Sequence, residues 1–295
     1  MIYDLNDPSK AAPLFADWKD ADAGIAACLD NVMGKIFADD TELPKAAMAV
    51  VGDFAYFAGE PNIELVRARP DRWLVVVPQN EAWEELIENN FPAFKRIRYA
   101  TRKDTKFNRK KLEAMVNALP EGYAFRRIDG ELYDVCLKNE NFEEAVSAFG
   151  SKEKYLELGR GFAVMKDGRV VAAASSYTRY KKGIDIEIDV VKEERHKGLG
   201  SAVAAKLILE CLDEGLYPAI RLAPLPAAKM IPSTTNIAAI TRETPSSIYI
   251  PPQISIYLPA YQSSSNSADR PSASSTHDGA YFAFFIAAPQ DGQTL

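Results

Sequence analysis

A chain of 295 residues with 35 Lys plus Arg against 41 Asp plus Glu carries a net charge of -6, which excludes a general electrostatic pull toward nucleic acid or an anionic membrane. Its length suggests two domains, each large enough for a core of its own. Cys28, Cys136 and Cys211 are widely spaced and odd in number, as reduced thiols are, and with His196 and His277 as the two histidines no metal site is expected.

Residues 1–120 alternate helical and strand signals, as an α/β or α+β domain does. The opening MIYDLNDPSK lacks the basic patch and apolar run of a signal peptide, and no later apolar stretch is long enough to cross a bilayer, so a cytoplasmic protein is expected. Ile25, Cys28, Leu29, Val32 and Ile36 have the spacing of a helix over 23–37. Residues 46–58, AAMAVVGDFAYFA, are strand formers interrupted by Gly52-Asp53, which predicts a hairpin or bulge. A short buried strand over 73–77 ends at Pro78, and 81–88 is an amphipathic helix. The basic run over 102–111 is a solvated helix start or, less simply, a phosphate site.

From about Gly122 the predicted order is a helix (142–149), a strand (161–165), an Asp167-Gly168 turn, two strands (169–180 and 183–191), a loop and a helix (201–214). The Asp-Gly turn between apolar runs is a hairpin signal. The last helix carries Val203, Ala204, Leu207, Ile208, Cys211 and Leu212 on one face, with Gly215 as its stop and Pro218 just beyond. Cys211 is most simply core. After Pro218 the character changes: the last 77 residues hold eight charged side chains and nine of the eighteen prolines, so neither a long helix nor a regular sheet is expected there, and much of it should be poorly ordered.

The chemistry lies in residues 183–201, GIDIEIDVVKEERHKGLGS. Arg195, Gly198 and Gly200 match Arg/Gln-x-x-Gly-x-Gly/Ala between an alternating strand and an amphipathic helix. Main-chain N–H groups there open the helix and form an anion cradle, and the glycines let a diphosphate approach the backbone. A dinucleotide fingerprint needs a third glycine where Val203 stands. Asp185, Glu187 and Asp189 alternate with Ile184, Ile186, Ile188 and Val190, which puts three carboxylates on one strand face. On an edge strand that face is merely solvated.

These stretches, with PKAAMAVVGDFAYFAGEPN (44–62), the helix around Trp83, ASSYTRY (174–180) and KGLGSAVAAKLILECLDEGLYP (197–218), resemble a bacterial two-domain branch of the GNAT acyltransferase superfamily. The resemblance implies an α/β (α+β) fold: a smaller N-terminal α/β domain (1–120), a mixed-sheet GNAT-like domain (121–218) and an atypical low-complexity tail (219–295). It implies acetyl-CoA as cofactor, with main-chain groups near Val190 and Val191 along the pantetheine arm and Arg195, His196, Lys197, Gly198, Leu199, Gly200 and Ser201 around the pyrophosphate. The acidic strand then lies centrally and lines the acceptor groove, with Glu187 as general base and Asp185, Asp189 and Ser176 as substrate-binding residues. The implied activity is N-acetyl transfer by direct attack of a small-molecule or protein amine. The family pattern breaks at Pro218, where the chain reads AIRLAPLPAAKMIPSTTN. The strand that splays from the acidic strand, an asparagine near the cofactor and a tyrosine acid for the leaving thiolate are then expected to be missing, which raises the alternative of an inactive acetyl-CoA-binding or interaction protein.

Overall fold

A computed structural model describes residues 1–18, 23–70, 74–92, 94–102, 106–224, 238–239 and 243–250. Its first strands are Tyr3–Asp4 (β1), Lys35–Ala38 (β2), Ala46–Val51 (β3) and Phe54–Gly59 (β4), with helices Ala12–Phe15 (α1) and Ala23–Leu29 (α2) between β1 and β2. The helix expected over 23–37 is therefore shorter. Asn31 and Gly34 take left-handed conformations (φ 54° and 77°) that end it, and Ile36 is buried from a strand instead. The Gly52-Asp53 hairpin is present, with β3 and β4 in register from Ala46↔Gly59 to Val51↔Phe54. Ile63–Arg67 (α3) then leads to Val75–Pro78 (β5), which runs parallel to β4; Trp73 lies outside the described residues. Glu81–Asn90 (α4) follows, capped by the Asn80 side chain and anchored by the fully buried Trp83, whose Nε1 donates to Gly59 O at 2.9 Å.

Next come Lys95–Arg102 (β6), Lys106–Phe107 (β7), Arg109–Asn117 (α5), Ala124–Arg127 (β8), Gly130–Leu137 (α6), Glu144–Ser147 (α7) and Lys152–Leu158 (α8). Of these the sequence suggested the start of α5, which the Asn108 side chain caps, and a longer α7. Gly161–Lys166 (β9), Arg169–Tyr180 (β10) and Gly183–Val190 (β11) form the expected antiparallel meander. Asp167 and Gly168 both have positive φ, the twist that suits a two-residue hairpin. Leu199–Asp213 (α9) crosses to Tyr217–Pro224 (β12), parallel to β11. Ala238–Ala239 (β13) pairs with β7, and Glu243–Ile250 (β14) pairs with β6 and β5.

Twelve of the described strands form one sheet in the order β1-β2-β3-β4-β5-β14-β6-β12-β11-β10-β9-β8. This corrects the expectation of no regular strand after Pro218. β12 continues to Pro224, and β14 pairs with β6 from Glu243↔Arg102 to Ile250↔Lys95. Main-chain ladders need no charge pattern, and Pro245 removes a single donor from that run. Residues 225–237, 240–242 and 251–295, the serine-rich stretch 263–275 among them, lie outside the described residues.

The faces of β11 have different covers. On one side α9 packs Leu199, Val203, Leu207, Ile208 and the buried Cys211 over Ile184, Ile186 and Ile188. Burial pushes the Cys211 thiol up to about 12, as suits an inert core group. On the other side α2 and α7 lie against both β10 and β11. The β3–β4 turn also reaches β10: Asp53 N–H donates to Tyr177 Oη at 2.7 Å. Gly52 has φ 50°, and a Cβ there would stand 2.3 Å from that same oxygen. The tip of this hairpin is thus fitted to one side chain of the meander.

Candidate active site

The acidic row is interior. β11 lies between β10 and β12, and its rungs with β10 set Ser175 opposite Glu187, Ala173 opposite Asp189 and, past a bulge at Tyr177, Thr178 opposite Asp185. Asp185 is 1% and Glu187 4% exposed, while Asp189 is half-buried; the solvated-edge reading is therefore set aside. Glu144, half-buried at the start of α7, meets this face and hydrogen-bonds the Glu187 carboxyl. Burial pushes Glu187 well above the usual carboxyl range, and the charges of Glu144, Asp189 and Asp185 push it further. Burial raises Glu144 to about 7, although the bond from Glu187 acts against it, and burial raises Asp189 to about 7 against the pull of Arg195. Glu187 is therefore harder to ionise than a solvent-exposed carboxyl, which makes it the stronger proton acceptor once ionised.

A gap opens beside this row. β11 and β12 pair from Gly183↔Tyr217 to Ile186↔Ile220, and there the ladder stops, although β11 runs to Val190 and β12 to Pro224. Val191 N–H donates to Val171 O at 3.0 Å. Antiparallel rungs alternate, so the main-chain groups of Ile188 and Val190 point away from β10, into the gap. This corrects the expectation that the splaying strand is missing: β12 occupies its place. Arg195 Nε donates to Val190 O at 3.2 Å, which ties the glycine turn to the end of β11.

That turn is held from outside. Glu194 accepts from Tyr123 Oη at 2.5 Å, Lys166 Nζ at 2.9 Å and Lys197 Nζ at 2.6 Å. The bond from Lys197, then those from Tyr123 and Lys166, hold its carboxyl down to about 2. His196 and Gly198 have φ of 65° and 79°. No side chain caps α9, and a Cβ at Gly198 would meet nothing within 4 Å. Ala202 N–H already bonds Gly198 O, so the N–H groups of Leu199, Gly200 and Ser201 are the ones without helical acceptors at the mouth of a fifteen-residue helix.

Two assignments change, those of Ser176 and Val191. Ser176 stands opposite Ile186 on the α9 side of the sheet, and its Oγ accepts from Arg160 N at 2.9 Å. It is a structural hydroxyl, and Ser175 is the serine that shares a face with Glu187. Leu199 buries its side chain in the core and offers the turn its main chain alone. Val191 gives its N–H to the sheet. Tyr249 falls in β14, and Tyr257, Tyr261 and Tyr281 lie outside the described residues, so no tyrosine acid is assigned among them. Sequence reasoning missed Glu144: in NFEEAVSAF nothing separates it from its exposed neighbour Glu143 except which of the two the packing of Phe142, Ala145 and Val146 turns inward.

A mixed sheet whose central parallel pair parts beside a glycine turn and an uncapped helix defines an acyltransferase of the GNAT type. The chain belongs to the GNAT acetyltransferase family, whose model matches residues 12–221. A GCN5-related N-acetyltransferase-like protein of Streptococcus suis is 35% identical, with a TM-score of 0.74 over 82% of this chain and 98% of that one. The uncharacterized N-acetyltransferase YdfB of Bacillus subtilis is 23% identical over 204 residues, 64% of this chain and 75% of its own. A GCN5-related N-acetyltransferase of Sphaerobacter thermophilus, 13% identical with a TM-score of 0.50 over 84% of this chain and 95% of its own, shares the fold. The protein is an acetyltransferase enzyme.

Proposed function

We propose that the protein moves an acetyl group from acetyl-CoA to an amine by direct attack. The observation that carries this reading is the parting of β11 from β12 after Ile186↔Ile220, next to Glu187 and ahead of the glycine turn. The residues fit the cofactor: an open Gly198 and three unpaired N–H groups at Leu199, Gly200 and Ser201 suit a pyrophosphate. Bound acetyl-CoA would supply an acyl group already activated as a thioester. Arg195, His196 and Lys197 are exposed around the turn, and Lys197 shares its charge with Glu194. Val190 N–H, facing the gap, is the main-chain donor for the pantetheine arm, and Val191 keeps the strand end in place.

Asp189 at the half-buried end of the row draws in an ammonium group, Asp185 adds its charge deeper down, and Glu187 takes the proton so that the nitrogen lone pair is free. Bringing amine and thioester together in one gap supplies much of the rate. The acceptor is a small-molecule or protein amine, with neither nucleic acid nor membrane as partner. Among the described residues no helix is long and apolar enough to cross a membrane, and three buried thiols outside any disulfide suit the reducing cytoplasm. The inactive-binder alternative rested on the expected loss of the splaying strand, an asparagine and a tyrosine acid, and the presence of β12 in the strand's place counts against it.

Calorimetry with acetyl-CoA, beside thiol release over a panel of amines, tests the reading. Glu187→Gln is expected to lower kcat by about 10² to 10⁴ with cofactor affinity unchanged. Binding without turnover on any amine restores the alternative, and a wild-type kcat in Glu187→Gln removes the base.

A further inference from the structure

The glycine turn carries backbone strain at a residue that is not glycine. His196 sits exposed in it with φ 65°, a left-handed conformation that side chains disfavour. A residue keeps such a conformation where its surroundings fix it. Here the residues on either side of His196 are bound to each other: Glu194 and Lys197 pair across it at 2.6 Å.

Glu194 is itself held by groups far away in the chain. Lys166, the last residue of β9, bonds it at 2.9 Å, and Tyr123, just before β8, bonds it at 2.5 Å. Lys166 Nζ also stands 5.0 Å from the centre of the Tyr123 ring, and that ring packs on the same apolar cluster as Leu199. The Glu194 side chain is 12% exposed, so its three donors meet it largely out of water, where charge-assisted bonds are strong. The turn is thereby stapled across His196 and tied to the two outer strands of the sheet.

We infer that Glu194 is a positioning residue for the cofactor: from outside the site it fixes the turn in the backbone shape that aims the N–H groups of Leu199, Gly200 and Ser201 at the pyrophosphate. The inference rests on the acetyl-CoA reading of the turn given above. Glu194 is negative and already accepts from three donors, so it is no phosphate ligand; its effect is to order the turn before the cofactor arrives. Without that carboxylate nothing staples the turn across His196. The turn then relaxes in the free protein, and binding has to restore its order. Affinity falls, whereas the acetyl-transfer step is untouched, because β11 and the gap beside β12 are held by their own ladders.

Calorimetry with acetyl-CoA, amide exchange of the free protein and steady-state kinetics test this. Glu194→Gln, which keeps the shape and removes the charge, should weaken acetyl-CoA binding by about 10-fold and raise its KM to match, with kcat at saturating cofactor near the wild-type value. In the free protein the amides of Glu194, Arg195 and Ala202, which bond Val191 O, Lys192 O and Gly198 O, should exchange faster than in the wild type. With acetyl-CoA bound, that difference should close. Lys166→Met acts on the turn through Glu194, so it should weaken binding in an otherwise wild-type chain and add no further loss in Glu194→Gln. A direct pull of the Lys166 charge on the phosphates would give the full loss in both backgrounds. That result, unchanged affinity and exchange in Glu194→Gln, or a fall in kcat with KM unchanged, would overturn the staple alone. Should Glu194→Gln fail to fold, Lys166→Met and Tyr123→Phe carry the same measurements. If the wild type binds no acetyl-CoA, the cofactor reading falls and takes the staple's purpose with it.

Discussion

Replacing Gly52 by alanine puts a methyl group into the side chain that joins the N-terminal hairpin to the catalytic meander. The new Cβ would stand 2.3 Å from Tyr177 Oη and 2.6 Å from its Cζ, contacts that no real side chain sustains. Backbone strain at φ 50° contributes about 1–2 kcal/mol. The ring then either stays, and the core is overpacked, or it moves, and the Asp53 N–H loses its 2.7 Å acceptor. Each of these alternatives costs about 1–3 kcal/mol, so the total destabilisation is about 2–5 kcal/mol. Tyr177→Phe, which removes the acceptor and keeps the ring against Phe54, isolates the second part at about 1–3 kcal/mol. Urea unfolding followed by circular dichroism measures both. A Gly52→Ala protein within about 0.5 kcal/mol of wild type would mean that the hairpin tip does not bear on Tyr177, and the fitted contact would have to be abandoned.

At Gly198, an aspartate finds open space around its side chain but sets a carboxylate at the N-terminus of α9. Backbone strain at φ 79° should cost about 1–2 kcal/mol of stability, partly offset because the helix end favours that charge, whereas affinity for acetyl-CoA should fall by about 10-fold or more; equal affinities by calorimetry would remove the pyrophosphate cradle. Stability should also depend on pH through Glu144 and Asp189, both raised in the folded state to about 7. Their contribution is fully present below their ordinary values near ~4 and is lost as pH rises through the folded values. Asp189→Asn should therefore be more stable than wild type at high pH and no more stable in acid, as thermal melts across that range would reveal. Parallel pH slopes in the two proteins would refute the raised value.

The local features were legible in the chain because each follows from near neighbours. The alternation of Asp185, Glu187 and Asp189 with isoleucines sets two faces on one strand, Asp167-Gly168 closes a hairpin, and the spacing of Val203, Leu207, Ile208 and Cys211 writes the buried stripe of α9. Arg195, Gly198 and Gly200 mark the turn before it. A period of two says that the carboxylates lie together, but it does not say what covers them. That was decided when α2 and α7 closed over the row and brought Glu144 to Glu187. The same holds for Ser175 and Ser176, adjacent in sequence and opposite in role, because the rungs of β10 and β11 assign them to different faces. β12 and β14 are the clearest case. Their strands are held by main-chain bonds to partners far away in the chain, and those bonds carry no side-chain signature, so the gap that forms the candidate site exists only once β12 has paired with β11 and then left it.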